Sequence, residues 1–467
     1  MALFIKKFSL KLLWLFIPIL IALTIYLKWD NWFYNPPEPA YFPSSIPDRI
    51  MLTWSEDPCT TRDVTWQCDT LSQKGSLQYF DLTLTKDTVI SPSTRRVIKT
   101  AGGAAAYYRV GIRELKPGQK YSYRVGNDGK WSDWYTFKTC NSSDSNYSFV
   151  FIGDIQDSIN GKSGDLLRKA YASQPDAAFI LFIGDMIERP HDEYWKEFFR
   201  EGGDIFSTIP VVASPGNHEY HKAIIQKIDP RWMAHFSFPQ NGPKDFLGRV
   251  CYWDYDDTRY ISMDTNGMQG ISSSLSQRNW LKKVLENTKQ RWKVVIMHHP
   301  LYSTTRGQDY FIERALFKPL FDKYGVDLVL QGHDHAYGRS AHIPNSAFPE
   351  KQGPVYVVTH ASPKLYDIKF SKEMDRLGTN TQMYQLINVS KDSISYRAYT
   401  FEGTYYDGFT LVKDKAGSNN LIDYAPYNVK ENLTPTPDFY RRYSKKEIEK
   451  YNEEMKEREK EKLQIKN

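Results

Sequence analysis

Residues 148–156 read SFVFIGDIQ, and residues 178–188 follow the same pattern with AFILFIGDMIE. Each is a short apolar run, typical of a buried strand, that ends in Gly and then Asp. Further apolar runs of this kind follow as far as Thr359, with helical patterns between them. Strands that alternate with helices predict a layered α/β fold. In such a sheet the loops after the strand ends meet in one crevice, so we expect Asp154 and Asp185 to lie close together.

Three more polar clusters follow apolar runs later in the chain. They read PGNHE at 215–219, MHHP at 297–300 and QGHDH at 331–335. Carboxylate, amide oxygen and imidazole together suit Mn, Fe or Zn rather than a thiolate site. In four of the five clusters a Gly directly precedes the candidate ligand, which permits a tight turn. Any one cluster could be an ordinary turn or loop, but five in order predict a site for two divalent metal ions.

These five blocks together resemble the motifs of the calcineurin-like metallophosphoesterases, and within them the purple acid phosphatase branch. In that branch the motifs run Gly-Asp, Gly-Asp-x-x-Tyr, Gly-Asn-His-Asp/Glu, a His after an apolar strand, and Gly-His-x-His. The likeness covers roughly residues 47–412. It implies an α/β metallophosphoesterase core of layered mixed β-sheets flanked by helices. It also implies a phosphoric ester hydrolase that uses two divalent metal ions, Mn, Zn or Fe.

The resemblance further implies which residues bind the metals. Asp185 would bridge the two ions, and a metal-bound hydroxide would attack phosphorus in line. Gln156 stands two residues after Asp154, where related enzymes place a His or a Gln. The other ligands would be Asp154 and His335 at the first metal, and Asn217 (through its amide oxygen), His298 and His333 at the second.

The residues around Asn217 are implied to handle the substrate. His218 would lie beside the phosphate and protonate the leaving oxygen. Glu219 would orient His218 or the metal-bound water, and Glu219 and His221 are both candidates for the hydrogen-bond partner of His218. His299 is either a phosphate contact behind the ligands or an ordinary loop histidine. The candidates for substrate binding are therefore Asn217, His218, His299 and Arg306.

The sequence departs from the family pattern at the first metal. The family Tyr would fall three residues after Asp185, and Glu188 stands there. Without a phenolate we expect a colourless enzyme that works with two divalent ions. Three replacements for the Tyr stay open here: Gln156, Glu188 or water alone. The substrate-side His pair of the plant enzymes is also missing, with TTRGQ at 304–308 instead, so the substrate preference does not transfer.

The motifs favour a phosphomonoesterase of the acid phosphatase type, and two alternatives stay open. A nucleotide phosphodiesterase or pyrophosphatase would use the same metals behind a differently shaped entrance. A non-catalytic surface-binding protein, with an inactive core, is opposed by the near-complete set of ligand types. The net charge of +6 over 467 residues is small and gives no reason to expect nucleic-acid binding.

The N-terminus predicts the compartment. Lysines among residues 6–11 precede an uncharged run from Leu12 to Leu27, which Lys28 ends. We interpret residues 8–28 as a signal anchor, a transmembrane helix that leaves residues 1–7 in the cytoplasm and the catalytic domain periplasmic or extracellular. A cleaved signal peptide is the alternative and would give a secreted protein, although the bulky residues after the run do not suit cleavage.

The rest of the chain divides by composition. The Pro-rich residues 29–46 predict a stiff linker. Residues 47–140 show the short strands of an all-β sandwich, and LKPGQKYSYRV at 115–125 resembles the late strands of a fibronectin type III domain. Residues 146–413 hold the five clusters of the catalytic domain. Residues 414–467 are dense in Lys and Glu near their end, which favours a solvated helix or a disordered tail over a partner-binding helix.

Four cysteines are too few for a disulfide-built scaffold. Cys59 and Cys68 are expected near opposite ends of one strand, roughly 20 Å apart, so we do not expect them to pair. A bond between Cys68 and Cys140 stays open, and Cys251 stands alone.

Overall fold

The structure, a computed structural model, describes residues 16–84, 88–141, 146–340, 343–349, 351–414, 417–425 and 429–464. The predicted cytoplasmic residues 1–7 and the first part of the predicted anchor lie outside these ranges. Helix α1 covers residues 16–27, and the short helix α2 covers Trp29–Trp32. Among the described residues we find no helix with both the length and the apolar character needed to cross a membrane.

The first domain is a two-sheet β-sandwich. Its strands are β1 (Asp48–Thr53), β2 (Arg62–Cys68), β3 (Gly75–Asp81), β4 (Val89–Pro92), β5 (Thr94–Lys99), β6 (Ala104–Ile112), β7 (Lys120–Asn127), β8 (Lys130–Trp131) and β9 (Tyr135–Lys138). One sheet has the order β1-β2-β6-β5, and the other has the order β4-β3-β7-β8 with β9 also beside β7. Aromatic side chains from both sheets, among them Trp66, Tyr108 and Tyr123, fill the space between them.

The second domain begins with strands and helices that alternate along the chain. They are β10 (Tyr147–Ile152), α3 (Gly164–Ser173), β11 (Ile180–Phe182), α4 (Asp192–Thr208), β12 (Val211–Ala213), β13 (Tyr220–His221), β14 (Lys227–Ile228), α5 (Trp232–His235), β15 (Cys251–Tyr255), β16 (Thr258–Met263), α6 (Ile271–Glu286), β17 (Trp292–Met297), α7 (Phe311–Tyr324) and β18 (Leu328–Gln331). The closing elements are β19 (Tyr337–Arg339), β20 (Val355–Val358), β21 (Arg376–Gly378), β22 (Met383–Val389), β23 (Ser393–Thr400), β24 (Tyr405–Lys413), β25 (Asn419–Asp423), α8 (Phe439–Arg442) and α9 (Lys445–Gln464).

These strands form two large mixed sheets. One has the order β12-β11-β10-β22-β23-β24-β25, and the other has the order β15-β16-β17-β18-β20-β19-β21. Strand β17 shows why the sequence forms layers: Val294 and Ile296 belong to the core between the sheets, whereas Val295 and Met297 pack with residues of α6 and α7. Because side chains alternate along a strand, a strand buried on both faces must be apolar throughout. This is the predicted α/β core of layered sheets flanked by helices.

The Pro-rich linker packs against the catalytic domain and is not a free spacer. The buried Glu38 carboxylate accepts hydrogen bonds from the Arg231 guanidinium at 2.5 Å and from the Asp192 backbone amide at 2.7 Å. The Asn35 side chain exchanges two hydrogen bonds with the Lys222 backbone. These long-range partners hold the linker in place, because a buried charge such as that of Arg231 needs a partner.

The charged C-terminal segment also packs onto the catalytic domain, which differs from the solvated helix or disordered tail expected. Strand β25 extends the first sheet by pairing with β24. On α9, Tyr451 is fully buried, with its ring 4.7 Å from Phe439 and 4.9 Å from Phe370 between centroids. Ile448 and Met455 pack beside it at helical spacing. Among its many charged residues, this segment thus carries a narrow apolar stripe that packs against the catalytic domain.

The disulfide joins Cys59 to Cys140, and Cys68 and Cys251 are free and buried. The Cys68–Cys140 bond left open by the sequence is therefore wrong. Cys59 follows β1 and Cys140 follows β9, and the Cys140 amide donates to the Pro58 carbonyl, so the two segments are neighbours. Cys68 contacts Asn127 inside the sandwich instead.

Candidate metal centre

The structure brings the polar clusters of both large sheets together. Strands β10, β11 and β12 run parallel, as do β17 and β18, so the loops that follow them emerge at the same ends of the sheets. The two sheets face each other, and their loops therefore supply one site from two sides. The residues placed there are Asp154 after β10, Asp185 after β11, Asn217 after β12, His298 after β17, and His333 and His335 after β18.

Three of these residues have an unusual backbone. Asp154, Asp185 and His333 have φ of 38°, 49° and 68°, in the left-handed region that non-glycine residues rarely adopt. Gly184, with φ of 90°, directly precedes Asp185. Its backbone lies so close to Gly216 that a Cβ would be 2.4 Å from the Gly216 amide nitrogen. Conformations of this kind cost about 1–3 kcal/mol each and persist where the fold enforces them, typically at functional sites.

The first ligand set comprises Asp154, Asp185 and His335, all buried, with candidate ligand atoms within 4.8 Å of one another. Gln156 joins them: its Nε2 lies 3.0 Å from His335 Nε2 and 3.3 Å from Asp185 Oδ2. His335 Nδ1 donates to the Lys364 carbonyl at 2.8 Å, which leaves its Nε2 facing the set. Asp154 Oδ1 and Gln156 Oε1 are buried without a hydrogen-bond partner.

The second ligand set comprises Asn217, His298 and His333. Asn217 Oδ1 lies 2.8 Å from His333 Nδ1 and 3.1 Å from His298 Nε2. His298 Nδ1 donates to the Ile183 carbonyl at 2.9 Å, so its Nε2 is turned inward. That Nε2 lies 3.2 Å from Asp185 Oδ2, and Asp185 therefore belongs to both sets.

The electrostatics of the site favour a bound cation. Burial raises the pKa of Asp154 well above its usual range. Burial opposes charge on His298 too, but the Asp185 and Asp154 carboxylates raise its pKa to about 10. Burial likewise disfavours charge on Asp185, yet the His298 imidazole holds the pKa of that carboxyl well below its usual range. Two buried carboxylates therefore act on His298, and this ring could bind a cation only after its proton has left.

His218 stands at the edge of both sets with its ring 20% exposed and its Nε2 3.9 Å from Asp185 Oδ2. The sequence suggested Glu219 or His221 as the hydrogen-bond partner of His218. The structure shows a different partner, because His218 Nδ1 donates to the Glu188 carbonyl at 2.6 Å. Glu219 is fully buried and accepts from the backbone amides of Asp185, Met186 and Gly216. Glu219 therefore shapes the turn that carries Asp185.

His299 lies beside the second set. Its ring centroid is 4.5 Å from that of His333 and 5.1 Å from that of His298, and its Nδ1 contacts the Thr265 hydroxyl at 2.9 Å. Candidate ligand atoms of His298, His299 and His333 also lie within 4.8 Å of one another. Burial keeps the pKa of His299 well below its usual range, so the ring is neutral and able to accept. His299 therefore lies close enough to the second set for the predicted phosphate contact, which stays a prediction.

Arg306 contacts the C-terminal helix. Its guanidinium pairs with Glu454 of α9 at 3.6 Å and lies over the rings of Tyr443 and Tyr451, 5.5 and 5.4 Å from their centroids. Its backbone amide donates to the Asp367 carbonyl. The structure therefore assigns Arg306 to the attachment of the C-terminal helix, in place of the expected phosphate contact.

Glu188, the residue at the position of the family Tyr, is directed toward Asp157. Burial and the neighbouring Asp157 carboxyl raise the pKa of Glu188 to about 8. Only its backbone carbonyl touches a site residue, His218, in the contacts described. Gln156 is the open candidate whose side chain contacts the ligand set.

No sequence pattern predicted several of the contacts around the site. The Tyr366 ring stacks on His335 with centroids 4.6 Å apart, and the Lys364 ammonium lies over the Tyr366 ring at 5.9 Å. Asp334, within the last motif, accepts from Ser303 and from backbone amides of the loop at 304–305. Tyr366 follows the motif by some thirty residues, beyond any spacing that a sequence pattern expresses.

Comparison with known proteins agrees with this arrangement. Residues 147–337 match the family of calcineurin-like phosphoesterases, and residues 47–139 match the N-terminal domain of purple acid phosphatases. Residues 147–337 form a calcineurin-like phosphoesterase domain. The predicted fibronectin-like sandwich corresponds to that all-β N-terminal domain.

Proteins similar to this chain include acid phosphatases. Acid phosphatase type 7 of Danio rerio is 25% identical over 360 residues, which cover 66% of this chain and 78% of the relative. The Fe(3+)-Zn(2+) purple acid phosphatase 12 of Arabidopsis thaliana is 28% identical over 275 residues, 55% of this chain and 56% of the relative. A purple acid phosphatase structure from yellow lupin seeds shares the fold, with a TM-score of 0.67 over 80% of this chain and 75% of its own, at 18% identity.

The chain is thus a phosphoric ester hydrolase with candidate sites for two metal ions. Its two ligand sets share Asp185 and lie at the strand ends of the family domain. The near-complete ligand set and the family domains oppose the alternative of a non-catalytic surface-binding protein.

Proposed function

We propose that this phosphoesterase is a phosphomonoesterase in which Asp185 bridges two divalent metal ions. Its Oδ2 lies 3.2 Å from His298 Nε2 in one ligand set and 3.3 Å from Gln156 Nε2 in the other. A single carboxylate between two sets of ligands is the observation that carries the proposal. Asp154, Gln156 and His335 would complete the first site, and Asn217, His298 and His333 the second.

The donor atoms fit Mn, Zn or Fe(II), which accept imidazole, carboxylate and amide oxygen together. Asp154 Oδ1 and Gln156 Oε1 are buried and unpaired, and a cation would satisfy both. When bound, two such ions polarise the phosphoryl oxygens and activate water for attack.

His218 would donate the proton that the leaving oxygen requires. Its hydrogen bond to the Glu188 carbonyl fixes the ring so that Nε2 points toward Asp185, and its partial exposure allows substrate to reach that atom. Asn217 and His299 flank the same face of the site and would contact the phosphate. Glu219 acts as a positioning residue, because it holds the backbone of the Asp185 turn.

We further propose that residues 8–28 anchor the protein in a membrane with the catalytic domain outside the cytoplasm. The described part of this segment exposes apolar side chains, including Ile19 at 62% and Leu20 at 64%. The Cys59–Cys140 disulfide suits an oxidising compartment. Protease added to the cytoplasmic side of vesicles should spare the catalytic domain. N-terminal sequencing of a protein that begins after Lys28 would establish a cleaved signal instead.

The activity is tested with purified full-length protein, loaded with Mn or Zn, on an aryl phosphate monoester and on a bis-aryl phosphodiester. We expect metal-dependent turnover that favours the monoester. Preference for the diester would establish the phosphodiesterase alternative. Turnover of neither substrate by a protein that binds two metals per chain would contradict the proposed enzyme.

A further inference from the structure

Two exposed isoleucines stand at the tip of the hairpin formed by β13 and β14. Ile224 is 87% exposed and Ile225 is 72% exposed, and Ile271 at the start of α6 is 82% exposed. We call these three residues the isoleucine rim. Single apolar residues on a surface are ordinary, whereas a group of them marks a surface that contacts something else.

Hydrogen bonds join the two parts of the isoleucine rim. The Gln226 amide donates to Gln269 Oε1 at 2.6 Å, and Gln269 Nε2 donates to the Gln226 carbonyl at 3.0 Å. Asn266 Nδ2 also donates to Gln226 Oε1 at 3.0 Å. Gln226 directly follows Ile225, and Gln269 lies two residues before Ile271, so the three isoleucines belong to one region of the surface.

The hairpin is also tied to the segment that follows α1. Asn35 Nδ2 donates to the Lys222 carbonyl at 2.7 Å, and the Lys222 amide donates to Asn35 Oδ1 at 2.8 Å. The Lys222 ammonium donates to the Asp30 carbonyl at 3.1 Å. The tip of the hairpin therefore lies near the end of an exposed apolar helix. The large apolar side chains that α1 exposes are Phe16, Ile17, Ile19, Leu20, Ile21, Leu23, Ile25, Tyr26 and Leu27.

Charge identifies the kind of surface that would cover this region. Lys222 and Lys227 are exposed on either side of the hairpin tip, and Lys28 is exposed at the end of α1. Apolar side chains flanked by lysines match a bilayer, whose acyl region takes the apolar groups while its anionic headgroups attract the cations.

We infer that the isoleucine rim and its flanking lysines rest on the lipid bilayer that holds α1. The hairpin begins directly after the turn Asn217–Glu219, so this contact orients the metal centre beside the lipid headgroups. The inference rests on the membrane anchoring proposed above and does not depend on catalytic activity.

The test places an environment-sensitive fluorophore on the rim of the full chain in vesicles of phosphatidylcholine and phosphatidylglycerol. Ile225→Cys supplies the attachment point. The native thiols do not compete, because burial raises the pKa of Cys68 and of Cys251 to about 12, and Cys59 and Cys140 are paired. Lys391→Cys is the matched control, since the exposed turn between β22 and β23 lies at the sheet end opposite the metal ligands.

We expect nitroxide-labelled lipid to quench the probe at 225 at least about two-fold more than the probe at 391. Equal quenching at both positions in vesicle-bound protein would overturn the inference. An emission shift at 225 that is present without lipid would also overturn it, because it would indicate a second copy or another protein surface. Flotation of the vesicles reports on the anchor separately, so failure of the anchor and failure of the rim contact are distinguishable. Matching thermal unfolding midpoints of the two labelled variants establish that both are folded.

Discussion

Asp185 is the residue on which both ligand sets converge. Asp185→Asn keeps the size of the side chain and removes the charge that opposes the two cations. We expect the variant to lose most of its bound metal and at least about 100-fold in turnover, because even losses beyond the direct ligands cost roughly 10- to 100-fold. Metal content by mass spectrometry and aryl phosphate turnover measure both effects. A variant with two metals and normal turnover would show that Asp185 is not the bridge.

Gln156 and Glu188 give different expectations at the first metal. Because Gln156 lies within hydrogen-bond distance of His335 and Asp185, Gln156→Ala should weaken the first metal by about 10- to 100-fold. Glu188→Ala should change it little. Neither side chain is a phenolate, so the iron-loaded, oxidised protein should show no visible charge-transfer band. Metal titrations of the two variants and an absorption spectrum check this. A tyrosinate band, or a reversed order of the two variants, would contradict the assignment.

At the scale of elements, the packing of α9 on the catalytic domain is the contact that the sequence predicted least. Arg458 of this helix binds Glu431 through two hydrogen bonds of 2.7 Å, and the Tyr451 hydroxyl donates to the Leu433 carbonyl at 2.8 Å. Composition alone does not reveal this, because exposed charges occupy most of the helix surface and the contact depends on one side chain per turn.

Truncation of Tyr451 should detach this helix. Tyr451→Ala removes a fully buried aromatic ring, a change that costs about 3–5 kcal/mol at a core position. Limited proteolysis should then cleave residues 445–464 much faster than in the wild type. Tyr440→Ala, with a side chain 58% exposed, should leave the cleavage rate unchanged. Equal protection of both variants would mean that other contacts hold the helix.

Arg306→Ala separates the two roles considered for that arginine. Since its guanidinium lies against α9, we expect faster cleavage of the C-terminal helix and an unchanged KM for aryl phosphate. A raised KM with unchanged proteolysis would restore the phosphate contact that the sequence suggests.

At the scale of the whole molecule, the sandwich and the catalytic domain share a polar and aromatic interface. Arg49 of β1 forms two hydrogen bonds of 2.8 Å with Asp192 of α4. Tyr123 donates to the Ser207 carbonyl at 2.6 Å, and Thr65 donates to the His235 carbonyl at 2.6 Å. These contacts are buried, and they link the two domains.

His235 should make this interface sensitive to acid. Burial, followed by the charges of Arg49 and Arg231, keeps the pKa of His235 well below its usual range, so the folded protein holds it neutral. The unfolded chain binds a proton below about pH 6.5, and the stabilisation present above that pH is lost as pH falls, at about 1.4 kcal/mol per unit. His235→Phe should flatten this dependence. Urea unfolding at pH 5 and pH 7.5 gives the free energy of unfolding of both proteins. If both proteins lose the same free energy between the two pH values, His235 is excluded as the cause.

Local patterns were sufficient for the fold class and for the placement of the candidate ligand residues at strand ends. Asp154 and Asp185 each follow an apolar strand directly, and strand ends of parallel sheets meet by geometry. The roles of Glu219 and Arg306 were not predictable in the same way. Their partners, the Asp185 turn and α9, lie 34 residues and well over one hundred residues away in the chain, and nothing in the spacing shows which distant segment will lie beside them.

The sequence by itself determined the α/β architecture and the types of ligand, because both depend on residues adjacent in the chain: an apolar strand and the polar turn after it. Only the tertiary structure decided that Gln156 contacts the ligand set, that Cys59 pairs with Cys140 across 81 residues, and that the linker and the charged tail pack on the catalytic domain. Each of these contacts joins segments whose proximity follows from how sheets and loops pack in three dimensions, and pairwise packing leaves no periodic trace in a single sequence.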